Sequence, residues 1–275
     1  MPVTPTSPLA AAARIRWPAI VRGSVGLHVG AGAATLAAPH LWPWALGAVI
    51  LDHSVLALSG LWPRSQWMGS NWMRLPDTPA ARNAIALSFD DGPDPDVTPR
   101  LLDLLDAANV KATFFVIGKR VAAYPVLARE IVQRGHALEN HSLRHVHTFS
   151  ISGPGAMRRE IVGAQEQIAD TTGVAPRCFR APAGLRNPFL DPVLQQLGLQ
   201  LVSWTRRGFD TREARPDRVS ARLLKGLAPR DILLFHDGHS AGAAAGHPVV
   251  LDALPPVIDA IARARLTPVL LRDML

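Results

Sequence analysis

The stretch ALSFDDGPDPD, residues 86–96, joins an apolar, strand-like run to two adjacent carboxylates and a Gly-Pro turn. Asp, Gly and Pro are common turn residues, so a strand ending in a polar turn accounts for the stretch by itself. Asp90 and Asp91 nevertheless repel each other. What the pair does depends on what the rest of the chain sets beside it.

Outward from this run the chain alternates. Short apolar runs recur at AIALSF (84–89), ATFFVI (112–117), HALEN (136–140), RCFRA (177–181), LQLVSW (199–204), DILLF (231–235) and TPVLL (267–271). Between most of them lie helix-length segments with apolar residues at 3.6-type spacing, such as TPRLLDLLDAANV (98–110) and MRREIVGAQEQIADTTG (157–173). In the first, Thr98 is a candidate N-cap and Pro99 sits at the first helical position. Such alternation predicts an α/β domain on a parallel sheet. The strand candidates suit a distorted barrel or a doubly wound sheet, and the pattern alone does not separate the two.

Polar residues gather where strands are predicted to end. Asp90 and Asp91 follow the first run, and His141 and His145 follow the third; Arg180 ends the fourth, Asp210 lies past the fifth and His236 closes the sixth. In parallel α/β folds these ends share one face, where active sites are built. His141 and His145 are four apart, which on a helical turn puts both imidazoles on one face. Alone that spacing is more often structural. With a strand-end carboxylate on the same rim it becomes a two-His, one-carboxylate set that leaves coordination positions open for water and substrate. His147, close by, reads as a surface or supporting residue.

These residues stand in recognisable motifs. SFDDGP (88–93), HSLRH (141–145), RAPAG (180–184) and LFH (234–236) resemble, in order, the T-F-D-D-G-P, H-[ST]-x-x-H, R-x-P-x-G and L-x-H motifs of the polysaccharide deacetylase family, the carbohydrate esterases that share the NodB homology domain. The resemblance covers the second region of the chain, residues 81–275, and implies a distorted (β/α)7-type barrel. It implies a metal-dependent hydrolase that removes an N-acetyl group from an amino-sugar saccharide. Asp91, His141 and His145 would then hold a divalent ion, usually Zn2+, with Co2+ also acceptable. Neighbouring side chains diverge at a strand end, so Asp90 would face the water as general base, with Arg180 holding it ionised. His236 would be the general acid, its pKa raised by Asp210. The backbone N–H of Ala183 would meet the oxyanion, and Leu234 would line a pocket for the acetyl methyl.

The fourth motif departs from the family's D-x-x-D-W. It reads RGFDT here, with Arg207 for the first Asp and Thr211 for the Trp, while Asp210 keeps its place. In the third motif Ala183 stands where an aromatic is common. Both changes remove aromatic surface from a sugar groove, which opens the question of substrate rather than of reaction. Arg206 and Arg207 read either as a site for an anionic group such as phosphate or as solvated loop charges.

The first 80 residues have a different character. From Gly23 to Pro63 the one formally charged side chain is Asp52. Two apolar segments, about 20–38 and 43–61, are joined by APHLWPW (38–44), each close to the ~20 residues that span a bilayer. Arg14, Arg16 and Arg22 precede the pair, Arg64, Arg74 and Arg82 follow it, and the turn carries none. The positive-inside rule then predicts a hydrophobic helical hairpin in the inner membrane with both ends, and the barrel, on the cytoplasmic side. His28, Asp52 and His53 inside the segments run against this, and a secretory signal or a peripheral helix pair are the other readings. Gly26 and Gly30 form a GxxxG, a pattern of helix contact.

Composition narrows the partners. The net charge of +7 comes almost wholly from Arg, but no basic block interleaved with aromatics is present, so nucleic acid is not an expected partner. Cys178 is the sole cysteine, which rules out an intrachain disulfide and a cysteine-rich metal site and fits an inert, buried thiol. The expected substrate is an N-acylated amino sugar, with the hairpin pointing to a lipid-linked precursor. The alternatives are a deformylase of a lipid-linked amino sugar and a catalytically silent, membrane-anchored sugar-binding module.

Overall fold

The structure, a computed structural model, describes residues 15–242 and 246–275; Arg14, one of the flanking arginines, lies outside the described residues. Two helices come first, α1 (Ala19–Ala37) and α2 (Trp42–Leu61), joined by a 3-10 turn at Pro39–Leu41. Their outer faces are apolar and open: Val29 is 69% exposed, Leu36 87% and Leu51 67%. Their polar residues face each other instead. Ser24 Oγ donates to Asp52 Oδ2 at 2.6 Å, His28 Nδ1 lies 2.8 Å from the Ser24 carbonyl, and the Nε2 atoms of His28 and His53 are 3.1 Å apart. The GxxxG plays no part in this contact, because a Cβ at Gly26 or Gly30 would meet nothing within 4 Å. Among the described residues one segment, Pro39–Leu61, is long and apolar enough to cross a membrane.

The rest is a barrel of parallel strands. In chain order come β1 (Ala84–Asp90), α3 (Thr98–Ala107), β2 (Thr113–Val116), α4 (Gly118–Ala123), α5 (Pro125–Gln133), β3 (Ala137–Asn140), α6 (Pro154–Thr172), β4 (Cys178–Phe179), α7 (Leu190–Leu197), β5 (Gln200–Leu201), β6 (Arg206–Arg207), α8 (Pro216–Leu224), β7 (Ile232–His236), α9 (Val249–Arg263) and β8 (Thr267–Pro268). The sheet runs β5-β4-β3-β2-β1-β7-β6, every ladder parallel, with β8 paired to the start of β1. It is the distorted (β/α) barrel, not the doubly wound sheet.

Between β5 and β7 the curl is completed by residues from before the barrel. Trp72 pairs with Val202 and Arg74 with Asp231, and Thr205 Oγ1 donates to the Met73 carbonyl at 2.6 Å. The segment after α2 is thus hydrogen-bonded into the barrel across the compositional break near residue 80. β6 was not among the expected strands, since Arg206-Arg207 carries no apolar signal; its pairing with β7 makes it a strand.

Period-2 alternation sorts the side chains of β1. Ile85, Leu87 and Phe89 point to the helices and join the main core with Leu101, Leu105, Val250 and Leu254. Phe89 stacks on Phe114 and Phe235 at 5.0 and 5.4 Å between ring centroids. Truncating such a ring to Ala typically removes about 3–5 kcal/mol. Ala86, Ser88 and Asp90 therefore face the barrel interior, where small side chains leave room for a guanidinium. Thr98 differs from its expected role: the helix cap is Val97, and the Thr98 hydroxyl accepts the Asp94 N–H at 2.8 Å and donates to Asp237 Oδ2 at 2.6 Å. A buried carboxylate is the stronger acceptor, so the side chain ties two loops together rather than capping α3.

Candidate active site

The interior phase of β1 delivers Asp90 to the rim, level with His236 in the parallel register. Arg180, at the end of β4, fills the space above Ser88. Its Nη1 donates to Asp90 Oδ1 at 2.5 Å and to Ser88 Oγ at 3.0 Å, its Nη2 donates to the Ser203 carbonyl at 2.9 Å, and its guanidinium lies 4.0 Å from the Phe115 ring centroid. Burial lowers the Arg180 pKa and Asp90 pushes it back up. A buried ion pair with its remaining donors satisfied is oriented firmly, whatever its net contribution to stability.

Asp91 breaks the strand phase. Its φ of 75° turns its side chain away from Asp90 and toward the loop after β3. There Asp91 Oδ1 lies 3.4 Å from His141 Nε2 and 3.3 Å from His145 Nε2. Gly92 is required just beyond, because a Cβ there would overlap the buried Asp237 carboxylate. The HSLRH segment is not a helical turn: Ser142 and His145 have φ of 68° and 53°. Side chains hold that loop, with Asn140 Oδ1 accepting the Ser142 N–H and Glu160 gripping Arg144 through both Nε and the backbone N–H. The tertiary frame, not helical spacing, brings the two imidazoles together.

The donors suit a small divalent ion. His141 Nδ1 is 2.8 Å from the Arg180 carbonyl, which can only accept, so Nδ1 carries the proton and Nε2 offers its lone pair. Asp91 Oδ1 is buried with no hydrogen-bond partner. Separations of 3.3–3.4 Å are those of donors sharing an ion at about 2.0–2.2 Å each. Burial by itself raises the Asp91 pKa, but the imidazoles of His141, His239 and His236 around it outweigh burial and hold the carboxyl well below its usual range. His145 is lowered by burial and by His141. His141 is shifted the other way, burial lowering its pKa but Asp90 and Asp91 raising it overall, so a bound ion would take the place of its proton and hold the carboxylate anionic and both imidazoles neutral.

His236 is buried at the end of β7, the strand beside β1. Its Nδ1 lies 2.8 Å from Asp210 Oδ1, and its backbone N–H donates to Asp210 Oδ2 at 2.7 Å. Burial lowers the His236 pKa, yet the Asp210 charge and hydrogen bond, with Asp90 and Asp91 beyond, raise it overall. Ala183 has φ 54° and Gly184 φ 73°, and the pair of left-handed residues turns the chain so that both line the cleft wall. At Gly184 a Cβ would strike Trp204 and Pro63. Asp90, Asp91, His141, His145, Ala183, Leu234 and His236 all line one open cleft of about 680 Å³.

This arrangement has relatives. The polysaccharide deacetylase profile matches residues 77–202. A chitooligosaccharide deacetylase of a Bradyrhizobium species is 38% identical over 163 residues, covering 58% of this chain and 73% of the relative. The chain belongs to the polysaccharide deacetylase family. The peptidoglycan-N-acetylglucosamine deacetylase PgdA of Listeria monocytogenes is 34% identical over 174 residues, 62% of this chain but 36% of that protein, so the chain spans about a third of that relative's length. Among solved structures, a family 4 carbohydrate esterase from Streptomyces lividans in complex with acetate superposes with a TM-score of 0.61 at 31% identity, covering 68% of this chain and 92% of that one.

Polysaccharide deacetylases depend on a divalent metal, and in this member Asp91, His141 and His145 are the residues in the cleft whose donor atoms converge. The departure at the fourth motif separates two adjacent arginines. Arg206 turns away and is structural: Nε donates to Asp231 Oδ2 at 2.5 Å, and its Nη atoms meet the carbonyls of Lys225 and Gly226. Arg207 and Thr211 line the cleft. His147 is an exposed part of the same wall. His239 was not anticipated: it lies at φ 60° with Nδ1 3.4 Å from Asp91 Oδ2. Its one signal was the run HDGH (236–239), a second histidine three residues beyond the strand-end one. Cys178 is buried, and burial raises its thiol pKa, as expected of an inert residue.

Proposed function

We propose that the protein is a metal-dependent hydrolase that removes the acetyl group from an N-acetylglucosamine-type unit of a saccharide, with Asp90 as base and His236 as acid. The observation that carries this reading is the pair of fixed groups, Asp90 held by Arg180 and His236 held by Asp210, lining the same cleft as the convergent Asp91, His141 and His145. Zn2+ is the ion the ligand set fits best, and Co2+ suits the same donors. Bound there, it would supply the charge that lowers the pKa of a coordinated water and polarises the acyl carbonyl.

The chain's own residues do the rest. Asp90 takes a proton from the attacking water, and Arg180 keeps it ionised and aimed. The negative charge that develops on the acyl oxygen meets the Ala183 N–H. His236, carrying its proton on Nε2 while Nδ1–H is held by Asp210, delivers it to the departing amine, the harder half of amide cleavage. Leu234 gives the acetyl methyl an apolar wall. The test is acetate release from short N-acetylglucosamine oligomers by the zinc- or cobalt-loaded protein, with D90N as control. Release that persists in D90N at unchanged metal content would remove Asp90 from the mechanism.

The substrate we infer is a lipid-linked saccharide reached from the inner membrane, on its cytoplasmic side. The outward apolar faces of α1 and α2 support membrane anchoring, and Arg16 and Arg22 at the start of the pair with Arg64, Arg74 and Arg82 after it support that orientation. A reporter fused after Leu275 would be active in the cytoplasm; activity only outside it would reverse the orientation.

A further inference from the structure

The cleft carries more positive charge than a neutral sugar needs. Its two carboxylates are already assigned, Asp90 to Arg180 and Asp91 to the ligand set it forms with His141 and His145. Among the cations lining it, Arg120 is paired with Asp94 at 3.1 Å and Arg144 with Glu160 at 2.5 Å. Lys119, Arg207 and Arg212 line the same cleft with no carboxylate of the described residues within 4.0 Å.

Arg207 is the best defined of the three. Its guanidinium lies over Trp204 and Phe209, 5.6 and 5.2 Å from the ring centroids. Its Nε is buried without an acceptor. Aromatic faces fix the plane of a guanidinium, and a planar fork with an unmet donor is suited to bidentate capture of an oxyanion. Two further facts bear on where that oxyanion would sit. Arg207 is level with Leu234 in the register between β6 and β7, one strand over from the strand that ends in His236. Thr211, where the family carries Trp, leaves a hydroxyl rather than an indole on that wall.

We propose that Arg207, assisted by Arg212 and Lys119, binds an oxyanion carried by the saccharide, making this an enzyme for anionic amino sugars. The anion, a carboxylate or a phosphate, sits on the reacting sugar or the one beside it. The proposal rests on the deacetylase reading and adds the class of substrate. Arg207 is a specificity residue in it and takes no part in bond breaking.

The experiment compares acetate release by the metal-loaded full chain from three soluble probes. These are neutral N-acetylglucosamine oligomers, oligomers alternating with N-acetylmuramic acid, and oligomers ending in a sugar phosphate. The expected result is kcat/KM at least tenfold higher for one or both anionic probes at low salt, the advantage shrinking as salt rises. Whichever anionic probe leads identifies carboxylate or phosphate. R207Q should cut the anionic-to-neutral ratio about tenfold, mainly through KM, and R212Q, at an exposed position, should cut it less. A wild-type ratio near one, or a ratio untouched in both variants, overturns the proposal while leaving the deacetylase reading intact. If no probe releases acetate, that reading fails, and calorimetric binding of the anionic probes decides this one: binding about tenfold weaker in R207Q upholds it, and equal binding overturns it.

Discussion

The hairpin and the barrel solve the same problem in opposite directions. In the barrel, apolar side chains such as Phe89, Phe114 and Phe235 are fully buried, and the charges at the cleft are held in pairs, Arg180 with Asp90 and His236 with Asp210. In the hairpin the apolar side chains stand outward and the polar ones, Ser24, His28, Asp52 and His53, meet between the helices. A water-facing helix pair would gain from the reverse arrangement. The contrast supports the proposal that the hairpin meets a membrane while the barrel meets water, and Trp72 and Arg74 tie the segment between them into the barrel.

The largest expected effect breaks that contrast at the hairpin. Arg at both Val29 and Leu51, near the middle of the outward faces, should weaken membrane attachment by about 6 kcal/mol, roughly ten-thousandfold in partitioning. Flotation with vesicles reads this directly, and a doubly substituted protein that still floats fully would show that something other than the hairpin attaches it. In the barrel, D90N should lower turnover about a thousandfold while the metal content stays at the wild-type level.

Two histidines at opposite ends of the barrel sharpen the comparison further. His136, at the foot of β3, accepts the Ala112 N–H at 3.1 Å, and burial, with Lys111 adding to it, pulls its pKa down to about 4. It stays neutral in the folded chain while the unfolded chain takes up a proton near pH 6.5, so stability should fall as pH drops from about 6.5 to 4. Linkage sets the loss at on the order of 3 kcal/mol over that window, and H136Q should flatten it in denaturant titrations.

His236 is shifted the other way. Burial opposes its charge, but Asp210 leads the groups that raise its pKa, so the acid form persists to higher pH. Its contribution to stability is complete below the unfolded pKa and is lost as pH rises through the raised one. In D210N the alkaline limb of the kcat profile should move to lower pH, with turnover down about a hundredfold at neutral pH. An unmoved limb would mean that His236 is not the acid.

Much of this was legible in the chain. Alternating apolar runs announce parallel strands because strands buried on both faces need them, and polar residues at their ends announce a rim. Other features were legible only in part. The HSLRH spacing pointed to two ligands of one ion through a helical turn, whereas left-handed Ser142 and His145 and the grip of Glu160 on Arg144 do the work. Thr98 looked like a cap and is instead a tie to Asp237. Strand β6 and the closing segment around Trp72 had no local signature, since their partners lie far along the chain.

By itself the sequence determined which donor types would be available and that they would end strands, because identity and strand phase are local properties. Tertiary structure decided their company. Two adjacent arginines, indistinguishable in the chain, part ways: Asp231 and the carbonyls of Lys225 and Gly226 claim Arg206, while Trp204 and Phe209 flank Arg207 at the cleft. A strand sends neighbouring side chains to opposite faces, and what each face meets is set by elements that only folding brings near.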